Sequence, residues 1–200
     1  MDQNGAGSFF ETLMVQEEVK MNAVSRLLFL FIVLFLGAVM AQPTWAGKEK
    51  FPEESLQVPE KEAYQEYLGV SDRESFLVQD VSSDLVLVEV FSMYCPICQR
   101  EAENVHRLYQ LIQDQGLGDN IKVLGIAPGN SSYEVSVFKE RYNVPFPLFP
   151  DADYQWHEHL GRVGTPTFIV VDTADGSVLR SHTGPFEGPE EYLQILKDFL

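Results

Sequence analysis

Cysteine is scarce in this chain: its 200 residues include only two, Cys95 and Cys98. Two cysteines exclude a scaffold held by several disulfides and a zinc site made of four thiolates. Basic residues are scarce as well, with 14 Lys and Arg against 30 Asp and Glu and a formal net charge of −16. Phosphate backbones repel so acidic a chain, so we predict that nucleic acid is not a partner.

Long hydrophobic runs are rare, and the most apolar one lies near the N-terminus. The uncharged stretch from Leu27 to Ala41 follows Arg26 and is shorter than the roughly 20 residues that a membrane span needs, but it suits the apolar region of a secretory signal. Residues 1–20 are too acidic for the start of such a signal, whereas a start at Met21 gives a normal layout. We therefore predict that residues 1–46 form an acidic extension plus a signal peptide or a retained N-terminal membrane anchor.

This leader predicts export, to the periplasm or another extracytoplasmic space. If the apolar run is retained, the protein is held at the inner membrane by its N-terminal segment. Residues 47–75 are charged and interrupted by prolines, which favours a polar tether with a short helix at 61–68. Residues 76–200 are then the folded domain.

Within that domain, strand and helix patterns alternate. Leu85 to Ser92 is almost continuously apolar and β-branched, as in a strand covered on both faces, and Pro96 to Gln115 has helical apolar spacing. Further strands are predicted at 76–81, 121–126, 167–171 and 178–183, and further helices at 131–142, 154–160 and 189–200. This order predicts an α/β fold with a central mixed sheet, helices on both faces and an antiparallel final hairpin.

The two cysteines lie at the junction of the first buried strand and its helix. At a helix start, unpaired N–H groups and the helix dipole favour a thiolate, which makes Cys95 the candidate nucleophile. Cys98 is one helical turn later on the same face, where it can attack a mixed disulfide and release the product. The pair therefore indicates thiol-disulfide chemistry.

Other uses of a cysteine pair fit less well. Zinc needs two further ligands, and the only clustered histidines, His157 and His159, do not have the usual spacing. Haem attachment needs a histidine after the second cysteine, where Gln99 stands. A structural disulfide that closes a two-residue loop constrains the unfolded chain little. We predict no metal and no bound cofactor.

Two more features belong with the cysteines. Glu89 interrupts an apolar strand six residues before Cys95, and burial there should raise its pKa, so it is a candidate base for the Cys98 proton. The alternative is that Glu89 faces solvent.

The second feature is Thr165-Pro166, which opens a later strand. An X-Pro bond there can be cis, and the Thr165 backbone can then bind a peptide strand. The alternative is an ordinary strand-opening proline.

Together these motifs resemble the thioredoxin superfamily, in particular the exported, AhpC/TSA-related thioredoxin-like reductases of the TlpA and ResA type. The segments that carry the resemblance are VLVEVFSMYCPIC, IKVLGI, FPLFPDADYQWHEHLGRVGTPTFIVVD and DGSVLRSHTG. The resemblance implies a thioredoxin-like fold in which Cys95 attacks, Cys98 resolves and a cis Pro166 contacts substrate. It places Glu89 where thioredoxin has its buried Asp.

The chain also departs from the family pattern around the cysteines. Tyr94 replaces the usual Trp, and Pro96-Ile97 is neither the Gly-Pro of thioredoxin nor the Pro-His of the strong oxidant DsbA. Ile97 offers the Cys95 thiolate no charge or hydrogen bond, which argues against a strongly oxidising potential. We predict a disulfide oxidoreductase that exchanges disulfides with partner proteins, as a reductant or an isomerase partner and not as a strong oxidant, and that takes electrons from a redox partner. Tyr94, Pro96 and Ile97, with Thr165 and Pro166, are the predicted substrate contacts.

Two other functions stay open at this stage. A thiol peroxidase of the peroxiredoxin type is one, because Ser92 lies three residues before Cys95; the expected proline, however, is replaced by Val88, and the expected arginine falls near Thr165-Pro166. A copper-handling module is the other, with Cys95, Cys98 and His157 or His159 as soft and borderline ligands.

Overall fold

The computed structural model describes residues 49–186 and 188–200. In chain order its elements are β1 (Leu56–Gln57), α1 (Glu62–Leu68), β2 (Ser75–Phe76), a 3₁₀ turn (Val78–Asp80), β3 (Leu85–Val90), α2 (Pro96–Asp114), β4 (Ile121–Pro128), α3 (Ser132–Arg141), β5 (Leu148–Asp151), α4 (Gln155–His159), β6 (Thr167–Asp172), β7 (Ser177–Thr183) and α5 (Pro189–Lys197).

Five of the strands form a mixed sheet in the order β5-β4-β3-β6-β7. The central strand β3 runs parallel to β4 and antiparallel to β6, and β6 and β7 form the antiparallel hairpin that the sequence predicts. All six residues of β3 are buried, because the strand has neighbours on both edges and a core on each face. The predicted α/β fold with a mixed sheet is confirmed.

Alternate side chains of the sheet enter two separate cores. Leu85, Leu87 and Phe91 face the helices α2, α3 and α5, while Val86, Val88 and Val90 face the opposite side. That second core is closed by the N-terminal segment, the end of α1 and Trp156 of α4. Helices therefore cover both faces, and α2 lies on the face toward which Glu89 points.

The predicted polar tether at 47–75 is wrong for its described part, residues 49–75. Phe51, Leu56, Leu68 and Val70 are each less than 5% exposed and pack in the second core, and β1 pairs antiparallel with β2. The segment looked like a linker because 11 of its 27 described residues are charged and prolines interrupt it, but its few apolar side chains pack in the core against the sheet. The short helix predicted at 61–68 is present as α1.

The strand predicted at 76–81 is also wrong. β2 ends at Phe76, and the carboxylate of Asp80 accepts a hydrogen bond from the Leu77 N–H at 2.9 Å, which closes a 3₁₀ turn over Val78–Asp80. A side chain that bonds to the local main chain in this way competes with strand pairing.

The predicted leader lies outside the described residues, as do the candidate start at Met21 and the apolar run Leu27 to Ala41. Among the residues that are described, no helix has the length and apolar character that crossing a bilayer requires.

Candidate active site

The candidate site forms where β3 ends and α2 begins. Pro96 occupies the first turn of α2, where its missing N–H costs no hydrogen bond, and Cys95 is the cap residue before it with an extended backbone. The Cys95 sulfur accepts the main-chain N–H of Cys98 at 3.2 Å, in the way an N-cap oxygen would. This geometry directs one of the free N–H groups of the helix start at the sulfur.

The environment of Cys95 favours its thiolate. Partial burial acts to raise the pKa of this thiol, but hydrogen bonds from the Cys98 side chain, from Thr165 and from the N–H groups of Cys98 and Ile97 outweigh it. The net effect is a pKa below the ordinary value of a cysteine. Cys95 is also partly exposed, so its sulfur is accessible from solvent.

Cys98 has the opposite character, although both thiols are free in this structure. It is fully buried, and burial, followed by its hydrogen bond to Cys95, raises the pKa of this thiol well above its usual range. The two thiols, one helical turn apart, therefore differ in acidity: the outer one ionises more readily than a free cysteine, and the one beneath it much less readily.

Glu89 is buried, as the sequence predicts, and its exposed fraction is 3%. It pairs in register with Gly125 of β4 and Phe168 of β6, and its Oε1 has no hydrogen-bond partner among the described residues. Burial raises its pKa from 4.5 to about 8, with smaller contributions from the charges of Glu101 and Cys95. A carboxyl group that can gain or lose a proton near neutral pH therefore lies behind the cysteine pair.

A second buried carboxylate, Glu101, was not found by sequence reasoning. It lies on α2 one turn after Cys98 and is 7% exposed, with Asn104 Nδ2 donating to both its oxygens at 3.4 Å. Its position three residues after Cys98 on a helix was the available signal, since such spacing puts it on the same face. Its charge is one reason why Glu89 retains its proton.

The loop before β6 faces the cysteines. The Thr165–Pro166 peptide bond is cis, and the carbonyl oxygen of Thr165 lies 3.3 Å from the sulfur of Cys95, which is 70 residues away in the chain. Thr167 Oγ1 donates to the Gly164 carbonyl at 2.6 Å, and the Gly184 N–H donates to the Pro166 carbonyl at 2.8 Å. The predicted residues Cys95, Thr165 and Pro166 are therefore brought together.

The other predicted substrate contacts surround the sulfur on its outer side. Tyr94 is 65% exposed, Pro96 is exposed and Ile97 is half-buried. The Tyr94 hydroxyl donates to Glu134, the capping-box glutamate of α3, and this bond and those from Ser131 lower the pKa of Glu134 to about 2. An anchored aromatic ring thus stands beside Cys95.

Asn130 is a further site residue that sequence reasoning missed. It is 1% exposed, its Oδ1 accepts the Met93 N–H at 2.8 Å and its Nδ2 donates to Ser92 Oγ at 3.2 Å. From the other side, Gln99 Nε2 donates to the Met93 carbonyl at 2.6 Å. These bonds fix the turn that leads into Cys95, and no motif marks them because they join separate loops.

The structure does not bring the predicted copper ligands together. His157 Nε2 lies 2.9 Å from the Val163 carbonyl oxygen, and His159 lies 3.4 Å from a carboxylate oxygen of Glu54. Within residues 49–186 and 188–200, no three His, Cys, Asp or Glu side chains gather as a metal site.

Ser92 is the residue that suggested a peroxidase. It receives hydrogen bonds from the Tyr94 N–H and from Asn130, and so it belongs to the turn that leads into Cys95.

A mixed sheet of this order, with a Cys-x-x-Cys pair at a helix start and a cis-proline facing it, defines a thioredoxin-like thiol-disulfide oxidoreductase. Residues 57–196, more than half of the chain, match the family described as Redoxin. The chain belongs to the Redoxin family, and within it to the thioredoxin-like proteins of the TlpA and ResA type.

Curated relatives agree with this assignment. The chain is 24% identical to the thiol-disulfide oxidoreductase ResA of Halalkalibacterium halodurans over 74% of its own length and 82% of that protein. It is 27% identical to ResA of Geobacillus thermodenitrificans over 56% of its own length, and there it spans 63% of the relative.

Solved structures show the same fold. A thiol:disulfide interchange protein of the thioredoxin family from Chlorobium tepidum superposes with a TM-score of 0.56 at 18% identity, covering 76% of this chain and 97% of that one. A secreted Mycobacterium tuberculosis disulfide oxidoreductase homologous to DsbE superposes with a TM-score of 0.52 at 17% identity, covering 62% and 88%. The predicted thioredoxin-like fold is confirmed.

The buried carboxyl of Glu89 predicts a pH-dependent stability. The folded protein holds this proton up to about pH 8, whereas the unfolded chain releases it near 4.5, so between these values the unfolded state binds fewer protons and stability falls as pH rises. Glu89→Gln should remove this loss. We expect the variant to gain on the order of 1 kcal/mol over the wild type per pH unit between about pH 5 and 8.

Urea unfolding of both reduced proteins across this pH range measures the effect. Glu103→Gln, an exposed position on the same helix as Glu101, is the control and should leave the pH profile unchanged. A difference between Glu89→Gln and wild type that does not vary with pH would mean that Glu89 is ionised in the folded protein throughout.

Proposed function

We propose that this protein reduces disulfides in partner proteins through Cys95 and Cys98, with Glu89 as the proton acceptor. The observation that carries the proposal is the placement of the accessible Cys95 sulfur between the start of α2 and the Thr165 carbonyl, with the buried Cys98 thiol one turn behind it. An attacking sulfur and a resolving sulfur are the two groups that disulfide exchange requires.

In the first step the Cys95 thiolate attacks one sulfur of a substrate disulfide. A mixed disulfide forms between Cys95 and the substrate, and the substrate's other sulfur leaves as a thiolate. The substrate chain binds in extended form against the main chain of Thr165 and beside Pro166, as a strand added to the loop edge. Tyr94, Pro96 and Ile97 line the other side of the sulfur and contact the same segment.

In the second step Cys98 gives up its proton and attacks the Cys95 sulfur. The substrate sulfur that was bound to Cys95 leaves as a thiolate, which takes a proton from water, and a Cys95–Cys98 disulfide remains. The thiolate charge of Cys95 raises the pKa of Glu89, and that charge disappears when the mixed disulfide forms. Burial, the largest cause of the raised pKa, is unchanged at this stage, but Glu89 becomes a stronger acid than before; the carboxylate that forms when Glu89 loses its proton to solvent accepts the Cys98 proton.

The surroundings of Cys95 favour a reductant. A strong oxidant needs a highly stabilised thiolate, because that stabilises the reduced form. Here the Ile97 side chain adds neither charge nor a hydrogen bond, and among the groups that lower the pKa of Cys95 there is no basic side chain. Both effects favour the disulfide form of the protein over its dithiol, which corresponds to a reducing potential.

The partners and the location follow from the same proposal. A reductant that ends each cycle as a disulfide needs a second thiol protein to supply electrons, and it needs no bound cofactor. We place the protein outside the cytoplasm because of the predicted leader, with the apolar run Leu27 to Ala41 as its signal or inner-membrane anchor. A fold relative from Mycobacterium tuberculosis is described as secreted, which agrees with this location.

Substitution of the two cysteines should block the reaction at different steps. Cys95→Ser should abolish reduction of insulin, because no sulfur remains to attack. Cys98→Ser should attack but not resolve, and so accumulate a mixed disulfide that is visible on non-reducing gels and released by dithiothreitol. Full insulin reductase activity in Cys98→Ser would exclude the two-cysteine mechanism.

Glu89→Gln should slow the resolving step by roughly tenfold or more, because the amide cannot take the Cys98 proton. Stopped-flow release of the second thiol from a preformed mixed disulfide measures this step directly. The rate of the first attack, followed separately, serves as the internal control and should change less. An unchanged rate of release would leave Glu89 with a structural role only.

The direction of electron flow is tested by equilibrating the protein with glutathione and counting alkylated thiols. The proposal requires the potential of the cysteine pair to be more negative than that of glutathione. Ile97→His, which adds a side-chain donor beside Cys95, should shift the potential in the positive direction. A wild-type potential more positive than that of glutathione would make the protein an oxidant.

A further inference from the structure

One buried carboxylate, Asp151, joins the two loops that face each other across the site. Asp151 ends β5 and is 6% exposed. Its main-chain oxygen accepts the Gly129 N–H at 2.8 Å, next to the Asn130 that holds the turn before the nucleophile. Its carboxylate accepts the N–H groups of Trp156 at 3.1 Å and of His157 at 2.9 Å. The start of α4 is therefore fixed relative to the turn behind the nucleophile.

The side chain of His157 continues this connection to the opposite loop. Its Nε2 lies 2.9 Å from the carbonyl oxygen of Val163, and since a carbonyl only accepts, Nε2 carries the hydrogen. The main-chain oxygen of His157 also accepts the Arg162 N–H at 2.8 Å. Two residues after Val163 comes Thr165, whose carbonyl faces the Cys95 sulfur.

The loop before β6 needs a contact such as the one between His157 and Val163 on its N-terminal side. On its C-terminal side the bonds from Thr167 and Gly184 tie it to β6 and β7. On its N-terminal side Gly161 and Arg162 both have left-handed backbones, with φ of 74° and 58°. Arginine rarely adopts that conformation, so surrounding contacts must hold this turn in place.

We propose that His157 is a positioning residue for the loop that binds substrate. Its imidazole holds Val163, and through it the Thr165 main chain, at the distance from Cys95 at which an extended peptide can bind both. This inference rests on the proposed function, in which Thr165 provides the docking edge. Because His157 acts on where a peptide backbone binds and not on the thiols, its loss should impair binding of peptide disulfides only.

The test compares His157→Leu, which removes the donor, with His157→Gln, whose amide restores one. With dithiothreitol as the electron source, we expect His157→Leu to raise KM for insulin about three- to tenfold, the effect of one lost hydrogen bond, with kcat nearly unchanged. The rate with an aromatic disulfide that lacks a peptide backbone should not change. His157→Gln should recover most of the KM, and His159→Leu, on the same helix but with its imidazole beside Glu54 and not at the Val163 carbonyl, should behave as wild type.

Each contrary result is distinct. An unchanged KM for insulin in His157→Leu, or an equal loss with the aromatic disulfide, overturns the positioning role. A wild-type protein that does not reduce insulin overturns the proposed function itself. If His157→Leu does not fold, His157→Glu takes its place, because Glu and Gln have the same shape but only the amide donates; equal KM values for these two variants overturn the inference.

Discussion

The main-chain N–H of Cys98 points at the sulfur of Cys95 because Cys95 is the cap residue of α2, and the remaining features of the site depend on this contact. The contact exists because a fully buried strand, β3, delivers the chain to the helix start at a fixed point of the sheet. A helix start has N–H groups to spare, and a sulfur placed there is stabilised as an anion without any basic side chain. An acidic protein can thus hold a thiolate at its surface.

Beneath that sulfur lie other acidic groups. The same helix that stabilises Cys95 buries Cys98 and Glu101 on its inner face, and β3 buries Glu89 opposite them. Burial makes Cys98 and Glu89 costly to ionise, and their charges are coupled to the outer sulfur: after burial and the charge of Glu101, a thiolate at Cys95 adds to the raised pKa of Glu89. The readiness of Glu89 to ionise therefore depends in part on the charge of the outer sulfur.

The sequence was sufficient for the fold class and for the parts of the site that are local in the chain. The apolar run around Leu85, the cysteine pair and the helix at 131–142 are short-range patterns with direct physical causes, and each is present in the structure. The burial of Glu89 was predictable because a carboxylate inside an apolar strand has no exposed face to occupy. The tether at 47–75 failed because composition counts charges, whereas packing depends on where a few apolar side chains point.

The elements that were missed join parts of the chain that are distant in sequence. Asn130 and Asp151 bond to main-chain groups, which every residue has, so nothing in the partner segment marks the contact.

Such contacts nevertheless decide whether the site works. A nucleophile and a docking edge 70 residues apart must keep a sulfur and a carbonyl 3.3 Å apart, and neither segment can set that distance alone. A sheet holds its strands at fixed spacing, but the loops at its end need hydrogen bonds of their own, both to the adjoining strands and to other segments. Asp151 at the end of β5 connects to both loops, directly through Gly129 and by way of His157. The accuracy of the site therefore depends on a residue with no part in the chemistry.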